Sequence, residues 1–89
     1  MRKRNTGRFF VPRKDVFENK VYIPQLFTNF VPLSADSKPW RDEIEYVGYH
    51  PEFGEVPEDE EAPTYDIVKY QVNRDDESLI MFAGFEKSL

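Results

Sequence analysis

The side chains that could do acid–base chemistry in this sequence are one histidine and seventeen carboxylates. The histidine, His50, precedes Pro51, and its neighbours indicate a turn after a strand rather than a catalytic site. A lone histidine can act as a general base, but it cannot supply both members of a proton relay. Catalytic carboxylates need a partly desolvated cleft, whereas the acids here cluster where apolar neighbours are few. We therefore expect a protein that is not an enzyme, with no catalytic residue.

Residues that would hold a metal or a cofactor are also not indicated. The chain has no cysteine, so thiolate zinc sites, disulfides and cysteine nucleophiles are excluded. Its four glycines form neither a phosphate-binding loop nor a nucleophile elbow. The acids at residues 75–77 lack the alternating spacing that places calcium ligands around one ion. The sequence thus predicts no metal and no cofactor.

A short run at residues 7–11 combines a glycine, an arginine and two phenylalanines, residue types with which some β-sheet proteins stack RNA bases. Adjacent Phe9 and Phe10 would point to opposite faces of a strand, so only one ring could stack on a base. We interpret the run as an aromatic anchor in the core or against a partner. Direct binding of nucleic acid is disfavoured.

Charge is segregated along the 89 residues, although the net charge is only −5. Residues 1–14 hold six of the twelve basic side chains and no acid, and residues 15–89 hold all seventeen acids. We predict a basic N-terminal arm at 1–14 and an acidic β-rich domain at 15–89. The arm could contact phosphates or an acidic protein groove, remain solvated, or fold back on the chain's own acids.

The acids are densest at residues 52–61, where six of ten side chains are acidic. Prolines bracket this stretch, and few core-forming residues lie inside it, so residues 52–63 are predicted to form a surface loop. The alternative is that the acids imitate a phosphate backbone and occupy the groove of a nucleic-acid-binding protein.

All seven prolines fall between residues 12 and 63, which leaves little room for long helices. Enrichment in β-branched and aromatic residues predicts five strands, at 8–11, 21–27, 43–49, 65–73 and 79–85. The last two should form a C-terminal hairpin, with Val68, Tyr70 and Val72 on one face. The strand at 79–85 is apolar on both faces, as a central strand would be.

One segment fits two structures. Ser37 could cap a helix that places Trp40, Ile44 and Val47 on one face, yet residues 43–49 also alternate as a strand. The predicted fold is mainly β, a small single-domain antiparallel sheet or barrel with the C-terminal hairpin. Its N-terminal half, which is interrupted by prolines, is predicted to be extended, with at most one short helix near residues 37–47.

The fourteen aromatic side chains favour a protein interface, because the core of a domain this small has limited room for large rings. We expect a non-enzymatic protein-binding module, either an accessory subunit of a larger assembly or a small inhibitor of the kind that viruses encode. Charged flanks would set orientation and association rate. The predicted partner-binding residues are the aromatic anchors Phe27, Phe30, Trp40 and Tyr49, the bases Arg2, Lys3, Arg4 and Arg8, and the acids Glu58, Asp59, Glu60 and Glu61.

Two alternatives remain, the phosphate mimic and a nucleic-acid binder that uses the basic arm. The expected partner is another protein, with a homo-oligomer as an alternative. No membrane association is expected, because the longest apolar run spans seven residues and a spanning helix needs about 20. The expected location is the cytoplasm, or the host cell or virus particle for a viral protein.

Overall fold

The computed structural model describes residues 3–38, 40–57 and 59–88, and this part of the chain is mainly β. It contains seven strands and two short helices, joined by turns and short loops. In chain order the elements are β1 (Lys3–Arg4), β2 (Thr6–Pro12), α1 (Arg13–Phe17), α2 (Tyr22–Phe27), β3 (Val31–Ser37), β4 (Glu43–Tyr49), β5 (Val56–Pro57), β6 (Tyr65–Arg74) and β7 (Glu77–Lys87).

The main sheet has three antiparallel strands in the order β2-β4-β3. Every second residue of β2 is buried, which places Gly7, Phe9 and Val11 on the core side. Residues 43–49 form the central strand β4, so the strand interpretation of this segment is correct and the helix capped by Ser37 is wrong. Two neighbouring strands satisfy the backbone of β4, and a helix there would leave both without a partner.

The two helices lie in the N-terminal half, and the strand predicted at residues 21–27 is instead the helix α2. Pro24 lies in its first turn, where backbone N–H groups have no partner within the helix, so the missing N–H removes no hydrogen bond. Tyr22, Ile23 and Leu26 face the core at helical spacing and are buried. Pro24 therefore lies in the first turn of a helix, within the segment that was predicted to be a strand.

The predicted C-terminal hairpin is confirmed. β6 and β7 pair antiparallel from Tyr65 opposite Lys87 to Arg74 opposite Glu77, with a register shift between Val68 and Lys69. Asp75 and Asp76 form the turn with φ values of 49° and 67°, the positive values that primed two-residue turns require. However, β7 pairs only with β6 among the described strands, so its predicted place as a central strand is wrong.

The hairpin makes the molecule elongated. Its eleven-residue strand spans about 35 Å at the usual rise of a strand. The principal extents are 52 × 29 × 23 Å, and the radius of gyration is 14.1 Å, against about 12 Å for a compact domain of this length. No closed barrel is formed by the described strands, so of the predicted sheet and barrel it is the sheet that occurs.

Aromatic rings fill the core between the main sheet, α2 and the base of the hairpin. The Phe9 ring lies 4.9 Å from the ring of Phe30 and 5.0 Å from that of Phe85, measured between centroids. β4 passes so close to this cluster that a Cβ added at Gly48 would lie 2.6 Å from Cζ of the Phe30 ring. The buried apolar residues are Phe9, Val11, Tyr22, Ile23, Leu26, Phe30, Phe53 and Tyr65.

Candidate interaction surface

The most exposed large aromatic side chains lie at one end of the main sheet, where β2 ends, α1 begins and the loop from β3 to β4 turns. In that loop, Trp40 is 77% exposed. The ammonium nitrogen of Lys38 lies 5.9 Å from the centre of the indole ring. An exposed tryptophan of this kind is unusual in a small domain, because its large apolar area is left in water.

The guanidinium of Arg13 holds this loop in place. Its Nη2 lies 2.8, 2.8 and 2.9 Å from the Ser37 hydroxyl, the Lys38 carbonyl and the Arg41 carbonyl. Its two N–H groups serve these three acceptors, so one N–H is shared between two of them. The backbone N–H of Arg13 also donates to the Asp42 carbonyl at 2.7 Å. One side chain thus engages acceptors on both sides of Trp40 and links Ser37, Lys38 and Arg41 to the start of α1.

A groove runs beside the loop, with a volume of about 500 Å³. It is lined by Pro12, Arg13, Lys14, Phe17 and Asp42, and the Phe17 side chain is 79% exposed. The groove therefore combines an apolar wall with two cationic side chains. We call this region, formed by residues 12–17, 38 and 40–42, the Trp40 end.

The other three predicted anchors are not free aromatic surfaces. Phe30 is buried in the core with 6% exposure, and its assignment as an anchor stays a prediction. It follows α2 directly, and the turn places its ring against Phe9. Phe27 is half-buried and packs on the same cluster. Tyr49 is half-buried, with the Arg4 guanidinium carbon 5.9 Å from its ring centre. Of the four predicted anchors, Trp40 alone is largely exposed.

The described part of the predicted basic arm, residues 3–14, contributes to β1, β2 and the start of α1. Lys3 and Arg4 form β1, which pairs with β5, and the next residues form β2 of the main sheet. Arg8 donates to the Glu61 carboxylate at 3.1 Å and to the Ala62 carbonyl at 3.0 Å. The chain thus folds its basic start onto its own acidic stretch, one of the three outcomes expected from the sequence. Arg2 lies outside the described residues.

The acidic stretch is partly used inside the molecule. Besides Glu61, the Glu52 carboxylate accepts a hydrogen bond from the backbone N–H of Phe85 in β7, at 3.4 Å. Asp59 and Glu60 are exposed, whereas Glu58 lies outside the described residues. Glu61 and Glu52 remain in contact with solvent, with side chains 84% and 47% exposed, while they bond within the chain. The phosphate mimic stays a prediction without a supporting observation.

His50 is buried in the structure, with 5% exposure. Its Nδ1 accepts a hydrogen bond from the backbone N–H of Glu52 at 3.0 Å, and its ring lies 4.9 Å from that of Phe85. Burial lowers the pKa of His50 below its usual value, and the Glu52 carboxylate opposes part of that shift. The imidazole therefore fixes the turn after β4.

A second groove, of about 390 Å³, lies between the helices and the hairpin. The side chains of Lys14, Lys20 and Lys69 line it together with Asp15 and Tyr22. The Tyr22 hydroxyl donates to the Asp15 carboxylate at 2.5 Å, and the Lys69 ammonium nitrogen lies 4.9 Å above the Tyr22 ring. Burial, reinforced by Asp15, raises the pKa of Tyr22, so its hydroxyl stays protonated as a donor.

Arg13, Phe17 and this lysine-lined groove were not predicted from the sequence. Arg13 bonds to residues 24 to 28 positions away, and no local pattern marks such a contact. Phe17 could have been found, because it ends an apolar pair that is followed by three polar residues, as an uncovered helix terminus would be.

No described helix has the length and apolar character needed to cross a bilayer. Within residues 3–38, 40–57 and 59–88, no group of three or more histidine, aspartate or glutamate side chains is arranged to hold a metal ion. Comparisons with protein-family models, with curated proteins and with solved structures found no match to this chain.

Proposed function

We propose that this chain is a non-enzymatic protein-binding module that docks on its partner through the Trp40 end. The observation that carries the proposal is an exposed tryptophan on a loop that is already fixed by Arg13. Tryptophan, tyrosine and arginine dominate the binding energy of protein interfaces, typically as anchors that enter a pocket.

The fixed loop supports this function because ordering a mobile loop on binding costs free energy, about 0.5–1.5 kcal/mol for each immobilised side chain. Here the hydrogen bonds of Arg13 order the loop during folding, so little of this free energy is lost on binding. The partner's chemistry follows from the same residues. It presents an apolar pocket for the indole ring of Trp40 and a ridge that fits the groove beside Phe17.

The two roles expected from the sequence, an accessory subunit and a small inhibitor, both use such a surface. Charge at the Trp40 end is partly neutralised within the chain, since Lys38 contacts Asp36 at 2.7 Å. Apolar burial at Trp40, rather than charge, is therefore the main source of affinity in this proposal. Binding should depend only weakly on salt, in contrast to a phosphate mimic or a nucleic-acid binder.

The test places a photoreactive phenylalanine analogue at position 40 of the full chain, expressed in the cells from which the sequence comes. A matched chain carries the analogue at Leu33, which is 54% exposed on β3. We expect one cross-linked product of defined mass from position 40 and none from position 33. Excess wild-type chain should compete with cross-linking, and excess Trp40→Ala should not.

Equal cross-linking from both positions, or competition by Trp40→Ala as strong as by wild type, would overturn the proposal. The Trp40→Ala variant is a fair competitor because an exposed ring adds little to the core. Its thermal unfolding should match that of the wild type within about 0.5 kcal/mol.

A further inference from the structure

We propose that a second copy of this chain pairs with the outer half of β7, so that the two hairpins join into one four-stranded antiparallel sheet. This contact is separate from the Trp40 end. It follows from the backbone edge that β7 leaves open, from the apolar face of the hairpin, and from the absence of protective features at this edge.

The hydrogen-bonding pattern shows which backbone groups of β7 point away from β6. The backbone N–H of Phe82 donates to the side-chain Oε1 of Gln25 at 2.9 Å, so the backbone N–H of Phe82 points away from β6. In an antiparallel pair, outward residues alternate with those bonded to the partner strand. Ser78 and Ile80 therefore face outward too, and no partner for their backbone groups occurs in the described part of the chain.

The inner half of the same edge is already closed. Gln25 occupies it at Phe82, and the Glu52 carboxylate occupies it at Phe85. The open stretch thus runs from the turn to residue 81. Unpaired edges of this kind invite pairing with another strand.

β3, an edge strand of the main sheet, is protected and shows what is missing in β7. β3 contains Pro32, a bulge between Pro32 and Ser34, and the charged Asp36, all of which hinder pairing with a further strand. Residues 78–81 of β7 contain no proline, no charge and no bulge. Between the two edges, β7 is the one suited to strand addition.

One face of the hairpin also lacks cover. Val68 and Tyr70 are 37% and 50% exposed, and they share this face with Val72 and with Leu79 and Met81 of the paired strand. The opposite face turns inward, as the contact of Lys69 with Tyr22 shows. Two-stranded ribbons are marginally stable alone, and added strands strengthen them.

A second copy fits because the open stretch is complementary to itself. Antiparallel pairing centred on Leu79 sets Ser78 of one copy opposite Ile80 of the other, so the outward groups of both meet. Glu77 then faces Met81, and no like charges are opposed. Residues 77–81 of each copy pair, and the pairing ends where the turn at 75–76 reaches the part of the edge that Gln25 occupies at Phe82. The two apolar faces become continuous across the twofold axis.

The test measures molar mass by light scattering on a sizing column, between micromolar and millimolar protein. We expect the wild type to reach a mass of about twice 10.6 kDa. Leu79→Lys places two cations on the twofold axis, and Ser78→Pro removes an outward N–H, so both should stay monomeric. The matched control Leu33→Lys changes the β3 edge and should dimerise like the wild type.

Hydrogen exchange of the wild type tests the pairing of β7 even if a variant fails to fold. In the wild type, the amides of Ser78 and Ile80 should lose protection by about 10-fold or more on dilution, while the amide of Phe9 should not change. A wild type that is monomeric throughout would overturn the proposal. So would a dimer that survives Leu79→Lys and Ser78→Pro, or one that Leu33→Lys abolishes. Trp40→Ala should still dimerise, which separates this proposal from the function proposed above.

Discussion

The body of this protein and the outer half of its hairpin are both β-structure, but they are stabilised in different ways. In the body, Phe9 and Val11 are fully buried, and the rings around Phe9 contact one another at centroid distances near 5 Å. In the outer hairpin, Tyr70 is half exposed and β7 has a neighbour on one side only. Strand-forming residues alone therefore do not make a core. Burial distinguishes the part that holds the fold from the part that is available to a partner.

The strongest test of this difference removes one ring from each region. Phe9→Ala should lower the free energy of unfolding by about 3–5 kcal/mol, because it deletes a fully buried ring and leaves a cavity. Tyr70→Ala, made in the outer hairpin, should cost less than about 1 kcal/mol. Urea denaturation at one protein concentration measures both. Equal losses would show that the hairpin is as tightly packed as the body.

A smaller loss of stability is expected on substitution of Arg13, whose side chain connects the body to the Trp40 loop. Arg13→Met should destabilise the protein by about 1–3 kcal/mol, since several loop acceptors lose their donor. Trp40 is the sole tryptophan, so its fluorescence anisotropy reports on this loop directly. Anisotropy should fall in Arg13→Met and stay unchanged in the control Lys14→Met. A fall in neither variant would show that Arg13 does not order the loop.

A pH effect is expected at His50, in the body. Burial lowers the pKa of His50 in the folded state, while the unfolded chain takes up a proton near 6.5. Between these two pKa values the unfolded state binds more protons, so stability falls as the pH drops below about 6.5. Thermal unfolding followed from pH 8 to 5 should show this loss. His50→Gln should not show it, and an unchanged pH profile in that variant would assign the loss to other groups.

The smallest effect is expected at the tip of the hairpin. Asp76 has a φ of 67°, which glycine adopts without strain, so Asp76→Gly should raise stability by about 0.4–1 kcal/mol. Asp76→Ala should lower it, because alanine is strained at that φ. Denaturant midpoints of the two variants measure the difference. A loss of stability in Asp76→Gly would mean that the carboxylate, rather than the backbone, supports the turn.

The sequence alone was sufficient for the mainly β class and for the C-terminal hairpin. Alternation and strand-forming residues at 65–73 and 79–85, with a polar turn between them, are local signals that each strand carries itself. The face shared by Val68, Tyr70 and Val72 was predicted for the same reason. Two neighbouring strands favoured β4 over a helix, whereas the sequence of that segment fitted both.

The tertiary structure decided the rest. Whether Pro24 lies in a strand or in the first turn of a helix depends on the core that Tyr22 and Leu26 enter, because the residue pattern of 21–27 suits both forms. Phe30 and Trp40 were equally plausible anchors in the sequence, yet one is buried and the other exposed. The candidate site could not be foreseen as a whole, since the contacts of Arg13 cross more than 20 residues.

For the charged segments too, the sequence does not determine the contacts between distant residues. Their composition established that residues 1–14 are basic and residues 52–61 acidic, and it could not decide whether the two meet. The contact between Arg8 and Glu61 spans 53 residues and exists because β2 runs beside the segment that leads into β6. Local structure depends on neighbouring residues and can therefore be predicted from the sequence. Which side chains remain free for a partner depends on contacts between distant segments, and these form only in the folded chain.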